Sequence, residues 1–197
     1  KSSNIEKTFL HLKNKNIHSE KPRSFSRPVK LNNIKKNAEF KTVSIDKNVF
    51  KAGRVYYCQH LTSELVWIPK LKNHKNTSVG ITKFIIIDDN PDLIAKNFLK
   101  LNKYIIVKKS NDYLNLEINN TNLCLYNIEE FKLKYEPMIT NMVLKKNMFA
   151  SVILKVKSLS FFHHLKNKKY SHFEINIKKS KVQVLLKPFN TLLEFTL

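Results

Sequence analysis

The stretch VGITKFIIIDDNPDLIAKNFLKLN, residues 79–102, carries the strongest local signals of secondary structure in the chain. Its first half is an apolar run, rich in β-branched residues and bounded by turn residues, which predicts a buried strand ending near Asp88. Asn90 then occupies a helix N-cap position, with Pro91 at the first helical position and Asp92 in the first turn. Apolar residues follow at helical spacing: Leu93, Ile94, Phe98 and Leu101. The stretch therefore predicts a strand followed by a helix.

Strand-like segments lie on both sides of this stretch. They are residues 41–45, 53–60, 64–68, 103–109, 112–118, 122–128, 150–159, 172–179 and 181–189. In the last three, lysine alternates with Val, Ile or Leu, and this period of two predicts a sheet with one apolar and one cationic face. The predicted fold class is α+β, with mostly antiparallel strands, one or two helices and a basic extended N-terminal arm.

The first 40 residues are polar and are interrupted by Pro22 and Pro28. Residues 5–13 could form one or two helical turns, with Ile5, Phe9 and Leu12 on one face. The rest has too few apolar side chains to fill a core, so we interpret it as an extended arm that becomes ordered on a partner. The alternative is a solvated, flexible terminus.

The balance of charge changes along the chain and suggests four segments. A basic extended arm over residues 1–40 has a net charge of +7, and a small β region over 41–83 has +6. A near-neutral α+β core over 84–140 has −1, and a basic, β-rich part over 141–197 has +9. This distribution is expected if the middle faces protein or solvent and the outer parts face a polyanion.

The total charge is the dominant feature of the composition. The 36 Lys and Arg residues against 15 Asp and Glu give a formal net charge of +21 over 197 residues. Like charges repel in a compact state, so this excess indicates an anionic partner. Arginine occurs only at Arg23, Arg27 and Arg54. Lysine meets phosphate as a point charge, which favours contacts to the nucleic-acid backbone over reading of base edges.

The candidate RNA-binding residues are cations of the arm and of the last quarter. They are Arg23, Arg27, Lys35, Lys36, Lys145, Lys146, Lys155, Lys157, Lys166, Lys168, Lys169, Lys178, Lys179 and Lys181. In the last quarter they alternate with aromatic side chains between Phe161 and Phe173, which could stack on unpaired bases. The alternative is a solvated cationic face whose aromatic residues are buried.

The segment GRVYYCQHLTSELVW, residues 53–67, contains the single tryptophan of the chain. It resembles the second half of a WW domain at Gly53, Arg54, Tyr56, Tyr57, His60, Thr62, Glu64 and Trp67. The resemblance implies a hairpin in which Tyr57 and Trp67 clamp a proline ring, with His60 beside them. It departs from the family at Ile45, where the first tryptophan belongs, at Leu65 and at Pro69. A proline-peptide groove, a packed hairpin within a larger fold and a chance likeness all stay open.

Catalytic and metal-binding motifs are not apparent. Asp88, Asp89 and Asp92 are explained by capping of the following helix, and the histidines between 163 and 172 have no ligand partners at metal-binding spacing. With two glycines, the chain has no glycine-rich phosphate loop. Cys58 and Cys124 are expected to be free thiols. We therefore expect no enzyme activity, no metal and no cofactor.

These features together resemble, in style, the divergent proteins of mitochondrial ribosomes. The expected function is a structural ribosomal component that binds rRNA and neighbouring ribosomal proteins, with a proline-rich segment as a further possible partner.

Two features suggest the mitochondrial matrix as the location. The composition implies AT-rich codon usage, and a cleaved targeting segment would explain the start at Lys1. Another organelle or the cytoplasm is the alternative. No apolar run is long enough to span a membrane. An adaptor for proline-rich peptides and an accessory subunit of an organellar membrane complex are the other functions considered.

Overall fold

The computed structural model of the chain describes residues 1–31, 34–165 and 170–197. The chain divides into two compact units, residues 1–72 and residues 73–197. The fold class is α+β with mostly antiparallel strands, as predicted, but the described residues contain four α-helices and not one or two. The predicted boundaries after residues 40 and 83 both fall inside strands.

In the part of the first unit that the structure describes, one α-helix is combined with a three-stranded antiparallel sheet. Helix α1 (Ile5–Asn14) is followed by β1 (Arg23–Leu31), β2 (Ile34–Ser44) and β3 (Tyr56–His60), in the order β1-β2-β3. The predicted helical turns are confirmed, and Asn4 caps α1 by accepting a hydrogen bond from the backbone N of Lys7. The small core consists mainly of buried aliphatic side chains and Phe50: Ile5, Leu12, Ile17, Ala38, Val43, Ile45, Phe50 and Leu65.

The basic extended arm predicted over residues 1–40 is not found. After α1 the chain enters a β-hairpin whose strands pair without interruption from Arg23 opposite Thr42 to Leu31 opposite Ile34. The prediction was wrong because it took sparse apolar residues and Pro28 as signs against regular structure. β1 is an edge strand, where proline is tolerated, and most of its residues are exposed, so it needs few apolar side chains.

The second strand of the WW-like hairpin is also absent. Residues 64–68 were predicted to be a strand, but Ser63–Leu65 is a short 3₁₀ helix, and another follows at Pro69–Lys72. β3 pairs instead with β2, which lies earlier in the chain. Among the apolar residues of this segment, Leu65 is buried in the core of the first unit, whereas Trp67 is 52% exposed.

The described residues of the second unit form a mixed eight-stranded sheet and three α-helices. Its elements are β4 (Ser78–Ile87), α2 (Pro91–Leu101), β5 (Ile106–Lys109), β6 (Leu114–Ile118), β7 (Thr121–Tyr126), α3 (Ile128–Tyr135), β8 (Met148–Val156), α4 (Ser160–His163), β9 (Phe173–Ile177), β10 (Lys181–Leu186) and β11 (Thr191–Thr196). The strand order is β5-β6-β7-β4-β8-β11-β10-β9, with β4–β7 and β8–β11 parallel and the other pairs antiparallel.

The strand and helix predicted for residues 79–102 are confirmed as β4 and α2. The side chain of Asn90 caps α2 by accepting a hydrogen bond from the backbone N of Leu93 at 3.0 Å, and Pro91 opens the helix. Ile85, Ile86 and Ile87 at the end of β4 are buried. β4 is a central strand of the sheet and pairs with β7 and β8.

The predicted sheet with one apolar and one cationic face is not formed. Adjacent residues of a strand point to opposite faces, and in β10 Leu185 belongs to one apolar cluster whereas Val182 and Val184 belong to another. Both faces of this part of the sheet are therefore apolar. The prediction was wrong because the lysines that alternate with Val and Leu stand at the ends of the strands, as Lys155 does in β8.

Candidate nucleic-acid interface

Four of the predicted RNA-binding residues lie on the hairpin of the first unit. Arg23 and Arg27 are on β1, Lys35 and Lys36 are on β2, and all four side chains are exposed. β3 pairs with β2 only between Phe40 and Ser44. Residues 27–31 and 34–38 therefore form a two-stranded ribbon beyond the third strand, and we call this segment the basic ribbon.

The basic ribbon has positive charge without compensation. Its charged residues are Arg27, Lys30, Lys35 and Lys36, and its sequence contains no Asp or Glu. Lys30 lies directly opposite Lys35 in the pairing of the two strands. Like charges in such a cross-strand pair destabilise the sheet, so the ribbon lowers its electrostatic energy when an anion binds to it.

The two faces of the three-stranded sheet differ. Helix α1 contacts one face, where the backbone N of Ile5 donates a hydrogen bond to Gln59 Oε1 at 2.9 Å and Glu6 pairs with Lys41 at 2.8 Å. Successive side chains of a strand point to opposite faces, so the residues next to Lys41 and Gln59 in sequence lie on the other face of the sheet. We call this second face the open face. Its residues are Arg23, Phe25, Arg27, Ala38, Phe40, Thr42, Ser44, Tyr56, Cys58 and His60.

An aromatic row crosses the open face. Phe25, Phe40 and His60 are aligned in the registers of the three strands, with ring centroids 5.0 Å apart for Phe25–Phe40 and 5.3 Å apart for Phe40–His60. Trp67 extends the row by stacking on His60 at 5.8 Å. The two ends are accessible, since Phe25 is 40% and Trp67 is 52% exposed.

All three arginines of the chain line one groove beside this row. The groove has a volume of about 370 Å³, and its lining includes Arg23, Arg27, Arg54, Phe25, Tyr56 and Glu20. Arg23 is 3.5 Å from Glu20, and the guanidinium of Arg27 lies 5.6 Å from the ring centroid of Phe25. Within the described residues, neither Arg27 nor Arg54 has a carboxylate at ion-pair distance.

The predicted proline clamp is only partly assembled. His60 and Trp67 are stacked on each other, but Tyr57 is separated from His60 by an odd number of positions along β3 and therefore points to the other face of the sheet. Burial raises the pKa of the Tyr57 phenol. Tyr57 and Trp67 thus do not flank a common groove.

Five of the predicted cations in the second unit converge at one edge of the sheet. β8 and β9 end at this edge and β10 begins there, and the pairings align Lys155 with Thr196 and Thr196 with Lys181. We call this group of residues the lysine edge: Lys155, Lys157, Lys178, Lys179 and Lys181. Lys181 pairs with Glu194 at 2.7 Å. In the described part of the chain, the other four have no acidic side chain at ion-pair distance.

The remaining predicted cations are not at this edge. Lys145 and Lys146 precede β8, at the opposite end of that strand from Lys155. Lys146 forms an ion pair and hydrogen bond with Asp89, which raises its pKa. Lys166, Lys168 and Lys169 lie outside the described residues.

The aromatic residues of the last quarter mostly face the protein interior. Phe162 is 4% exposed and packs on Phe195 at 4.5 Å, while Phe161 and Phe173 pack against the same apolar cluster. His163 and His164 are exposed. The predicted stacking surface is thus largely replaced by core packing in this region, and the exposed aromatic row lies in the first unit.

The carboxylates after β4 act locally. Asp88 is buried, and its Oδ1 accepts a hydrogen bond from the backbone N of Asn90 at 2.9 Å. No group of three or more His, Cys, Asp or Glu side chains among the described residues is arranged to hold a metal ion. Both cysteines are free thiols. No helix in the described ranges has the length and apolar character needed to cross a membrane.

Comparison with known proteins gives a likeness of fold only. No protein-family model and no curated protein sequence matches the chain. A hypothetical protein from Staphylococcus aureus is similar in structure, with a TM-score of 0.61 and 13% sequence identity over 98% of this chain and 62% of that one. An uncharacterized protein from Methanosarcina mazei matches 60% of this chain and 91% of its own, with 16% identity and a TM-score of 0.33. The chain thus spans 62% of the length of the staphylococcal protein.

Proposed function

We propose that this protein binds RNA as a structural component of a ribonucleoprotein particle, and more specifically of a mitochondrial ribosome in the matrix. The observation that carries the proposal is the basic ribbon, in which Lys30 and Lys35 oppose each other and no acidic residue is present. A row of phosphates would remove this repulsion and release counterions.

The lysine edge supports the same function from the second unit. Lys155, Lys157, Lys178 and Lys179 are exposed and come from two separate parts of the sequence. Their convergence at the ends of adjacent strands forms a cationic strip, which suits the backbone of a nucleic acid and offers no bidentate donors for base edges.

The near-neutral residues 84–140 would contact neighbouring ribosomal proteins. This region includes exposed apolar side chains such as Leu133, Ile106 and Tyr104, which a protein neighbour would cover. The role is non-catalytic in this proposal, because the protein contributes charge, shape and an ordered surface to the particle.

The salt dependence of RNA binding tests the proposal. The affinity of the purified chain for a structured RNA should fall by orders of magnitude between about 50 and 200 mM salt, with a linear plot of log affinity against log salt. Binding to anionic vesicles that equals or exceeds binding to RNA would instead support a membrane-associated role. No RNA binding at the lower salt concentration would overturn the proposal.

A further inference from the structure

The open face of the first unit combines two kinds of group that the proposed electrostatic role does not require. It presents arginines in a chain where 33 of the 36 basic residues are lysines, and it presents aromatic rings at the surface. Phosphate neutralisation alone needs neither feature, because lysines in any exposed position would provide it.

The arginines and the aromatic row are arranged together. Arg23 and Arg27 lie two residues before and after Phe25 on β1, on the same face of the strand. This spacing places each of their Cα atoms about 7 Å from that of Phe25. Arg54 and Tyr56 complete the groove from the segment that enters β3. Cations therefore flank the exposed ring at one end of the row, and Lys72 lies 5.9 Å from the ring centroid of Trp67 at the other.

We propose that the open face binds an unpaired RNA segment, whose phosphates contact Arg23, Arg27 and Arg54 and whose bases stack on Phe25 and Trp67. This inference rests on the RNA binding proposed above and assigns the site of single-strand recognition to the first unit. The guanidinium group forms bidentate hydrogen bonds with phosphate oxygens. Bases that are not paired expose π-faces, which stack on aromatic side chains without regard to sequence.

The chemistry of the face favours single-stranded RNA over other occupants. The bases of a duplex are already stacked on each other, so a duplex would use the arginines and leave the aromatic rings uncovered. An acidic peptide would likewise contact the arginines and leave the aromatic rings uncovered. A proline-rich peptide would use the rings of His60 and Trp67 but would offer no anion to Arg27 and Arg54, which have no carboxylate at ion-pair distance among the described residues. An unpaired RNA segment satisfies both sets of groups.

The fluorescence of the single tryptophan, Trp67, can be used to measure binding at this site. Trp67 is exposed and stacked on His60, so a base that stacks on it should quench its fluorescence. Hexauridylate should quench the signal saturably, whereas an RNA duplex of equal length, inorganic polyphosphate, hexaglutamate and decaproline should not. Quenching by decaproline and not by hexauridylate would identify a peptide groove and overturn the inference.

Two conservative variants test the contacts with labelled hexauridylate. Phe25→Leu should lower the affinity by roughly 5-fold to 100-fold, as expected for the loss of one base stack. Phe189→Leu is the matched control, since Phe189 is 75% exposed in the second unit, and it should leave the affinity unchanged. Arg27→Lys keeps the charge but removes the bidentate fork, so the affinity should fall several-fold with no change in the salt slope. Circular dichroism of each variant verifies that it is folded.

The outcomes separate this inference from the proposed function. If substitution of ribbon lysines weakens binding of structured RNA while Phe25→Leu and Arg27→Lys bind hexauridylate like the wild type, the inference is wrong and the proposed function stands. If no RNA binds at all, both are wrong. Because Arg27→Lys changes only an exposed side chain, it tests the site even if Phe25→Leu fails to fold.

Discussion

The two units of this protein carry nearly the same net charge in very different ways. Residues 1–72 contain 16 basic and 5 acidic side chains, a net charge of +11, and residues 73–197 contain 20 and 10, a net charge of +10. The first unit has a small core, an exposed ribbon and an open face beside a groove that all three arginines line. The second has apolar clusters on both faces of a wide sheet and places its lysines at strand ends. The net positive charge per residue is therefore higher in the unit that has less apolar surface to bury.

The largest expected difference between the units concerns their aromatic residues. Phe131 of α3 is fully buried and packs on Tyr135 at 4.7 Å, so Phe131→Ala should lower the free energy of unfolding by about 3–5 kcal/mol. Phe25→Ala removes an exposed ring and should cost less than about 1 kcal/mol. Urea unfolding followed by circular dichroism measures both. Equal losses would show that the open face is part of a core.

RNA binding should depend on the basic ribbon more than on any other lysines. Replacement of Lys30, Lys35 and Lys36 by Ala should lower the affinity at least about tenfold near 100 mM salt and reduce the salt slope by about 2 to 3, if each lysine contacts one phosphate.

The matched control for the ribbon is a triple alanine variant of exposed lysines in the near-neutral region: Lys96, Lys103 and Lys109. This variant removes the same charge and should change the affinity and the slope much less. Equal effects of the two variants would mean that only the total charge matters, and the assignment of the ribbon as a contact surface would be wrong.

Within the lysine edge, Lys181 should differ from its neighbours. It pairs with Glu194, whose side chain is nearly buried and also accepts a hydrogen bond from Gln183 Nε2 at 2.9 Å. Lys181→Ala leaves this carboxylate with one partner fewer and should cost about 1–2 kcal/mol, a value reduced by the partial exposure of the lysine. Lys178→Ala should leave thermal stability unchanged. A stability equal to the wild type in both variants would rule out a structural role for Lys181.

Alkaline pH should destabilise the second unit through its buried tyrosines. Burial raises the pKa of Tyr126 and of Tyr135 well above the ordinary value of 10.0. In the unfolded chain these phenols lose their protons near pH 10, whereas in the folded chain they keep them. The stabilisation is therefore complete below pH 10 and is lost as the pH rises above it, by about 1.4 kcal/mol per pH unit for each phenol. Tyr135→Phe should show a shallower decline of the urea midpoint between about pH 10 and 11, and an unchanged decline would contradict the assignment.

The elements that sequence reasoning identified correctly are those with local signals. The strand β4 and the helix α2 follow from an apolar run, a cap at Asn90 and Pro91, all within 25 residues of sequence. Helix α3 carries a comparable signal, with Asn127 accepting a hydrogen bond from the backbone N of Glu130 and Glu129 in its first turn. It was missed because the strand predicted over residues 122–128 overlapped the start of the helix.

The features that the sequence did not reveal depend on which strands pair. The hairpin of β1 and β2 was missed because its apolar residues are sparse among polar and charged side chains and Pro28 interrupts them. The alignment of Phe25 with Phe40 and His60 results from the registers of three strands. The convergence of Lys155 with Lys179 results from the order β8-β11-β10-β9. Neither register nor strand order can be read from composition and periodicity, so the cations were predicted as members of two basic segments, and the surfaces on which they converge were not.

Sedimentation of the native protein tests the central claim, that the surplus positive charge faces RNA phosphates, most directly. In a density gradient of lysate from cells or organelles that contain the protein, it should travel with a heavy ribonucleoprotein fraction and move to the top after RNase treatment. If the protein stays near the top without RNase, or stays in a heavy fraction that contains no nucleic acid, the claim is contradicted.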